Sequence, residues 1–271
     1  MSANDLLPYL ARHLEEFRRR IDTRGLNILE IGGCLPRDMA LETTGARRWI
    51  GIDLPDYWAE SGDDNPSQHY DMPSFPISQA ARAASLDHAV LLGDMIDLPS
   101  DIEPFDAVFS SCAFEHISDL APRLQTVKKV LRPGALLFAS AEPIWSASYG
   151  DHMLPLQDKD GAVWMPSALQ LPDWHQLLWS PQEMTTYLMS KEIPQEVICR
   201  AVYWVHHSPH LNRMMFGDYT QLCRTSGFAE YQVVGLPCPK SLNPDTMAVL
   251  ELLYPGKGPF NYSGVLMLLR A

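Results

Sequence analysis

The order of apolar runs predicts an α/β protein. Its core is a doubly wound, mostly parallel sheet of seven strands, with an insertion after the fifth. Three observations carry this. Short apolar runs end in Gly or Asp and alternate with helical stripes. The first two runs and the stripe between them fit within about thirty residues, the size of a strand–helix–strand unit. After Glu142 the rhythm stops, and two more strand-like runs close the chain.

Leu6, Leu10, Leu14, Phe17 and Ile21 form one apolar stripe on a helix. Asp22 to Gly25 ends it. Residues 26–31 read as a buried strand followed at once by Gly32-Gly33. A helix is expected from Arg37 to Thr44, closed by Gly45, and a second strand over 49–52 ending on Asp53. Residues 55–85, rich in Asp, Ser, Pro and aromatics, read as a long excursion with one short helix near Ser78 to Ala84. Strands follow at 89–92, 105–110 and 135–139. Before the last of these, Ile117, Leu120, Leu124, Val127 and Leu131 form a helical stripe stopped by Pro133-Gly134. Residues 143–210 are dense in Trp, His, Pro and Met, with their clearest helix at 180–190. A helix at 211–226, capped by Gly227, and strands at 230–236 and 263–269 restore the sheet. The expected units are a core over 1–142, an insertion over 143–210 and closing elements over 211–271.

The bulk numbers narrow the function. Net charge is −12 over 271 residues, and the one cationic run, Arg18-Arg19-Arg20, falls on the polar side of the first helix. A duplex-binding surface needs clustered cations, so nucleic acid is an unsuitable partner, as is an anionic membrane. The first residues lack a basic start followed by a long apolar core, and no window reaches the length of a bilayer span. Five widely spaced cysteines, with no CxxC pair, suggest neither a disulfide framework nor a zinc knuckle. A reduced, cytoplasmic setting follows as the expectation.

Four loops fall on one edge of this sheet, where ligands of open parallel sheets bind. Glycines at 32 and 33 let backbone approach a ligand, but Gly-Gly-Cys-Leu-Pro lacks the spaced third glycine of a dinucleotide fingerprint. Asp53, with Leu54 beside it, is placed to accept from both ribose hydroxyls of an adenine nucleoside, or to cap a helix. Gly93-Asp94-Met95 offers a carboxylate and a backbone N–H to adenine, or is a plain turn. Ser110 to His116 is the fourth loop.

The segments Asn27-Ile28-Leu29-Glu30-Ile31-Gly32-Gly33, Ile50-Gly51-Ile52-Asp53, Gly93-Asp94-Met95-Ile96-Asp97-Leu98-Pro99, Phe105 to Ser110, Phe114-Glu115-His116-Ile117 and Leu131 to Leu137 occur in that order. Together they resemble the motifs of class I S-adenosylmethionine-dependent methyltransferases of the small-molecule, ubiquinone/menaquinone-methyltransferase-like group. The resemblance covers residues 26–140 and implies a Rossmann-like fold. It implies that Glu30, Gly32 and Gly33 line the methionine part of S-adenosylmethionine, that Asp53 and Leu54 meet the ribose, and that Gly93, Asp94 and Met95 meet the adenine. Ser111 and Cys112 would lie near the sulfonium. The sequence departs from the family at Cys34-Leu35-Pro36.

The insertion sits where related enzymes carry an acceptor lid. Its aromatics and histidines suit a planar or apolar small acceptor, or simply fill a lid core. His152 and His175 are the candidates for proton removal. His116, Trp145, Tyr149, Trp179 and His207 are the candidates for acceptor contact. His206-His207-Ser208-Pro209-His210 has no supporting carboxylates, so no metal is expected. The reading is methyl transfer to O or N of a small molecule in specialised metabolism, leaving S-adenosylhomocysteine. The alternative is a non-methylating cofactor-binding protein on the same fold. A homodimer is compatible with either.

Overall fold

The computed structural model describes residues 8–56, 72–238 and 243–271. Leu6 and residues 57–71 of the 55–85 excursion lie outside them.

The chain runs α1 (Pro8–Arg20), β1 (Asn27–Ile31), a π-helical turn (Asp38–Thr43), β2 (Arg48–Asp53), β3 (Ser74–Pro76), α2 (Ala80–Ala84), β4 (His88–Leu92), β5 (Phe105–Ser111), α3 (Leu120–Lys129) and β6 (Leu131–Ala141). The insertion holds β7 (Leu156–Gln157), β8 (Val163–Trp164), α4 (His175–Leu178), α5 (Pro181–Ser190) and α6 (Gln195–His207). Then come α7 (Phe216–Thr225), β9 (Glu230–Pro237), α8 (Pro244–Leu253) and β10 (Tyr262–Arg270).

The central sheet has eight strands, not seven, in the order β3-β4-β2-β1-β5-β6-β10-β9. The added strand is β3, which pairs with β4 through Ser74–Pro76. Three residues ending in proline are too few to show alternation in a sequence, and proline is tolerated because this is an edge. Strands β1 to β6 are parallel; β10 runs antiparallel to β6 and β9. The order reverses between β1 and β5, so their C-terminal ends frame the crevice.

Both sheet faces are covered, as continuous apolar strands require. All five residues of β1 are buried. Side chains alternate faces along it: Ile28 joins Phe17, Trp49, Phe109 and Phe138 under α1, and Leu29 joins Val108, Leu124, Leu137 and Leu222 under α3 and α7. The rings of Phe109 and Phe138 stack on adjacent strands, 5.9 Å between centroids.

A third apolar cluster fills the insertion: Trp145, Trp174, Met184, Leu188, Val197 and Trp204, joined by Leu250 and Phe260 from between β9 and β10. Two helices here were not expected. In α6, Val197, Ile198, Ala201, Trp204 and Val205 are buried at helical spacing, among aromatic, His and β-branched residues of weak helix propensity. Helix α8 opens with Asn243, whose side chain accepts from the Asp245 N–H, followed by Pro244. The helix expected over 211–226 begins only at Phe216, because Leu211 to Met215 run irregularly past the cavity.

Candidate functional site

A cavity of about 770 Å³ opens at the C-terminal ends of β1, β2, β4 and β5. Gly32, Asp53, Leu54, Gly93, Asp94, Met95, Ser111, Cys112, His116 and His152 all line it. Glu30, Gly33, Trp145, Tyr149, His175, Trp179 and His207 do not.

The first loop explains its glycine. Gly32 has φ +83°, and a Cβ there would stand 2.0 Å from the Ala113 Cβ. Only glycine lets the β1 and β5 loops meet. The Gly32 N–H donates to the Ile52 carbonyl at 2.9 Å, and Gly33 bridges to Ile52. Glu30 lies beneath this loop. Its carboxylate accepts from the Leu35 N–H at 2.7 Å and from the Trp49 indole at 2.5 Å. Burial pushes its pKa up to about 7 against those two hydrogen bonds. A ring nitrogen of His88 donates to the Leu35 carbonyl at 2.8 Å, and Leu35 is itself buried. Side chains thus hold the Cys34-Leu35-Pro36 turn where a further glycine would normally shape it.

At the end of β2, Asp53 accepts from the Leu54 N–H at 2.8 Å. Asp94 accepts from the Ile96 N–H at 3.0 Å and from Arg123 Nε at 2.9 Å, with a second Arg123 nitrogen on its other oxygen. Burial pulls the Asp94 pKa upward, but Arg123 and Ile96 outweigh it and hold it below the ordinary carboxylate value. Arg123 lies 29 residues from Asp94, and no local signal in the sequence joins them.

Beyond β5, Cys112 has φ +51°, a costly conformation for a non-glycine residue. Its N–H donates to the Ser140 carbonyl at 2.7 Å. His13 of α1 spans Ser111 and Ser140, with ring nitrogens 2.7 and 3.2 Å from their hydroxyls.

The opposite wall comes from the turn at 114–116 and from the insertion. His116 and His152 meet edge to face, 4.6 Å between centroids. A carbonyl only accepts, so His116 Nδ1 donates to His210 O at 3.1 Å and His152 Nε2 donates to Pro143 O at 2.5 Å. Burial pushes their pKa values down to about 4 and about 3, so both rings are neutral near pH 7. His152 sits in the left-handed region, φ +49°, and the Trp204 indole donates to its carbonyl at 2.8 Å.

His175 stands behind this wall. Its Nδ1 donates to Pro172 O at 3.0 Å, and its Nε2 is 3.3 Å from Asp151 Oδ2. Trp179 packs on Tyr187, Trp145 lies under the Arg213 guanidinium, and His207 packs beside Tyr203. Tyr149 is exposed. Tyr9, Asp56, Arg123 and Glu142 also line the cavity and were not foreseen; Glu115 lies in the fourth strand-end loop and Pro209-His210 in the histidine run, neither given a role in the lining beforehand. Among the described residues, no three His, Cys, Asp or Glu are placed to hold a metal ion.

Residues 39–139 match the methyltransferase domain family. Over that stretch, under half of its length, the chain is similar to methyltransferase domains. The match begins past the first loop, the stretch whose sequence departs from the family. A malonyl-[acyl-carrier protein] O-methyltransferase of Salmonella typhimurium is 35% identical over 81 residues, 30% of this chain and 31% of that protein. The chain therefore matches under a third of that relative's length. An S-adenosylmethionine-dependent methyltransferase from Mesorhizobium loti is 18% identical, with 95% of this chain and 96% of that one covered and a TM-score of 0.49. A phosphoethanolamine N-methyltransferase 2 of Haemonchus contortus, in complex with S-adenosyl-L-methionine, is 12% identical over 96% of this chain and 52% of that one, with a TM-score of 0.45.

The cavity suits S-adenosylmethionine chemically. Its edge offers the Asp53 carboxylate for a diol, apolar Ile52, Leu54 and Met95 for a flat base, and loop backbone at Gly32 and Ser111 for an amino acid. No helix among the described residues is long and apolar enough to cross a membrane.

Proposed function

We propose that this protein transfers the methyl group of S-adenosylmethionine to an O or N atom of a small-molecule acceptor drawn from specialised metabolism. The observation that carries the reading is a single cavity with two unlike walls. Strand-end loops bearing Asp53 and Asp94 form one; the His116–His152 pair forms the other.

When bound, the cofactor supplies an activated methyl group on its sulfonium. The chain's own work is alignment and proton handling. Gly32, Ser111 and Cys112 would hold the amino-acid end, Asp53 the ribose, and Asp94 with Met95 the base. Residues 143–215 would act as the lid, excluding water while donor and acceptor stay collinear. With its Nε2–H given to Pro143, His152 would present Nδ1 as the base for an acceptor proton. Burial leaves that nitrogen unprotonated at neutral pH but also makes it a weak base, so it would receive the proton only as the methyl group is transferred. His175, buried and tied by Nδ1–H to the Pro172 carbonyl, would support the histidine wall from behind rather than react.

Titration calorimetry with S-adenosylhomocysteine tests the cofactor half; absence of binding by the folded protein would sink the proposal. Binding with no methyl transfer to any of a broad set of alcohols and amines would favour a non-methylating role.

A further inference from the structure

Five carboxylates line the cavity: Asp53, Asp56, Asp94, Glu115 and Glu142. Among the described residues the only lysine or arginine there is Arg123, and it is spent on Asp94. Three of the five have partners that explain them. Asp53 caps its own turn, Asp94 holds Arg123, and Glu142 accepts from the Ser263 hydroxyl at 2.6 Å and lies 3.5 Å from Arg12.

Glu115 is different. Its side chain is almost wholly buried, at 3% exposure. One oxygen, Oε1, accepts from the Glu142 N–H at 3.1 Å. The other, Oε2, has no hydrogen-bond partner among the described residues. A buried carboxylate oxygen left in this state is costly. The groups whose charge it feels offer no relief: Glu142, Tyr9, Cys112 and Tyr219 are acidic or neutral. The position is also held from the insertion side. The Glu115 carbonyl accepts from the Asn212 N–H at 3.0 Å, the Asn212 amide reaches Phe114 O, and His116 is tied to His210. Glu115 thus stands at the seam between the strand-end loops and the proposed lid, next in the chain to the histidine wall.

We propose that the acceptor carries an ammonium group, and that the orphaned Glu115 oxygen receives it, with Glu142 alongside. This rests on the methyltransferase reading and names its substrate class. A cation supplies what the site lacks: a hydrogen-bond donor for Oε2 and a charge that offsets two adjacent carboxylates. Burial and Glu142 both raise the Glu115 pKa, to about 8. The bound ammonium therefore draws a proton off Glu115 as it enters. The same acidic lining disfavours acceptors bearing a free carboxylate or phosphate, which would find no unpaired lysine or arginine among the described residues that line the cavity.

The test titrates the full chain, saturated with S-adenosylhomocysteine, with 2-phenylethylamine and with 2-phenylethanol as its uncharged counterpart. The amine is expected to bind about ten-fold or more tightly than the alcohol. Calorimetry in buffers of differing ionisation heat should show proton release on amine binding only. In Glu115→Gln the preference and the release disappear, while the affinity for S-adenosylhomocysteine stays put, which also certifies the fold. Glu142→Gln, at the rim of the same group, should reduce the preference by a smaller factor. Equal binding of amine and alcohol, or of neither, overturns the proposal, as does a preference that survives Glu115→Gln. So does a Glu115→Gln protein that loses S-adenosylhomocysteine but keeps 5′-methylthioadenosine, because the carboxylate would then serve the cofactor's own amino group. Loss of all S-adenosylhomocysteine binding in the unsubstituted protein would instead fail the methyltransferase reading itself.

Discussion

The two walls of the cavity are built by different means. On the strand-end wall, backbone does the shaping: Gly32 meets Ala113 with no room for a Cβ, and Gly33 bridges to Ile52. Single carboxylates stand at the strand tips. On the insertion wall, side chains do the shaping: His116 and His152 are fixed by carbonyls from Pro143 and His210, and Trp204 clamps the turn that carries His152. A backbone wall is rigid and tolerates few substitutions. A side-chain wall can be altered one contact at a time, which suits the part of an enzyme that selects its acceptor.

Substitutions can break this contrast. The largest effect is expected from Gly32→Val. It forces a β-branched residue to φ +83° against Ala113, so the protein should lose S-adenosylhomocysteine binding and about 3 kcal/mol or more of stability. A calorimetric titration and a urea melt that both match the unsubstituted chain would show that the loop is not rigid. Next, His152→Ala should lower kcat roughly 100-fold with cofactor affinity unchanged. Asp53→Ala should do the reverse, weakening S-adenosylhomocysteine roughly 10- to 100-fold. If the two variants affect the same parameter, the walls do not divide the labour.

The walls should also answer oppositely to pH. Glu30, under the first loop, has its folded pKa raised from 4.5 to about 7. The folded state holds that proton longer, so its stabilising share is whole below pH 4.5 and is lost as pH rises through 7. His116 and His152 have theirs lowered from 6.5 to about 4 and about 3. The unfolded chain takes protons first, so stability is whole above pH 6.5 and is lost as pH falls toward 3. Melting curves of Glu30→Gln should flatten on the alkaline side, and those of His152→Gln on the acid side. A flattening on the wrong side in either variant would reverse the assignment. The smallest effect belongs to Ser180→Ala, which removes a capping box at the start of α5. It should cost about 1 kcal/mol, a shift of roughly 2–4 °C in Tm, with cofactor affinity untouched.

The same contrast decides what could be read in the sequence. The strand-end wall was legible because each loop follows its strand directly: Gly32 after Ile31, Asp53 at the end of β2, Gly93-Asp94 after β4. Seven of the eight strands showed for the same reason. Its long-range parts did not show, since Arg123 on α3 reaches Asp94 with the whole of β5 between them in the chain, and Glu30 turns beneath its loop rather than into the cavity. On the insertion wall, His152 and His116 could be named as chemically apt residues, and both line the cavity. His175, Trp179 and His207 were equally apt, yet the fold sends them elsewhere. Nothing in a tract of Trp and His says which face each side chain takes until the helices are placed, and α6 was not foreseen. Glu115 carried no signal of its own, because its oddity is a missing partner.

Leu250 and Phe260 belong to the same apolar cluster as Trp174, Met184 and Trp204, although β9 lies between them in the chain. This cluster is therefore sewn from two separate lengths of polypeptide, joined by the Tyr254 hydroxyl donating to the Leu177 carbonyl at 2.7 Å. A flap cut from one loop swings on two hinges and gives way if either is nicked. This one is tied by both lengths of chain, so a single proteolytic cut within 145–215 should leave it in place.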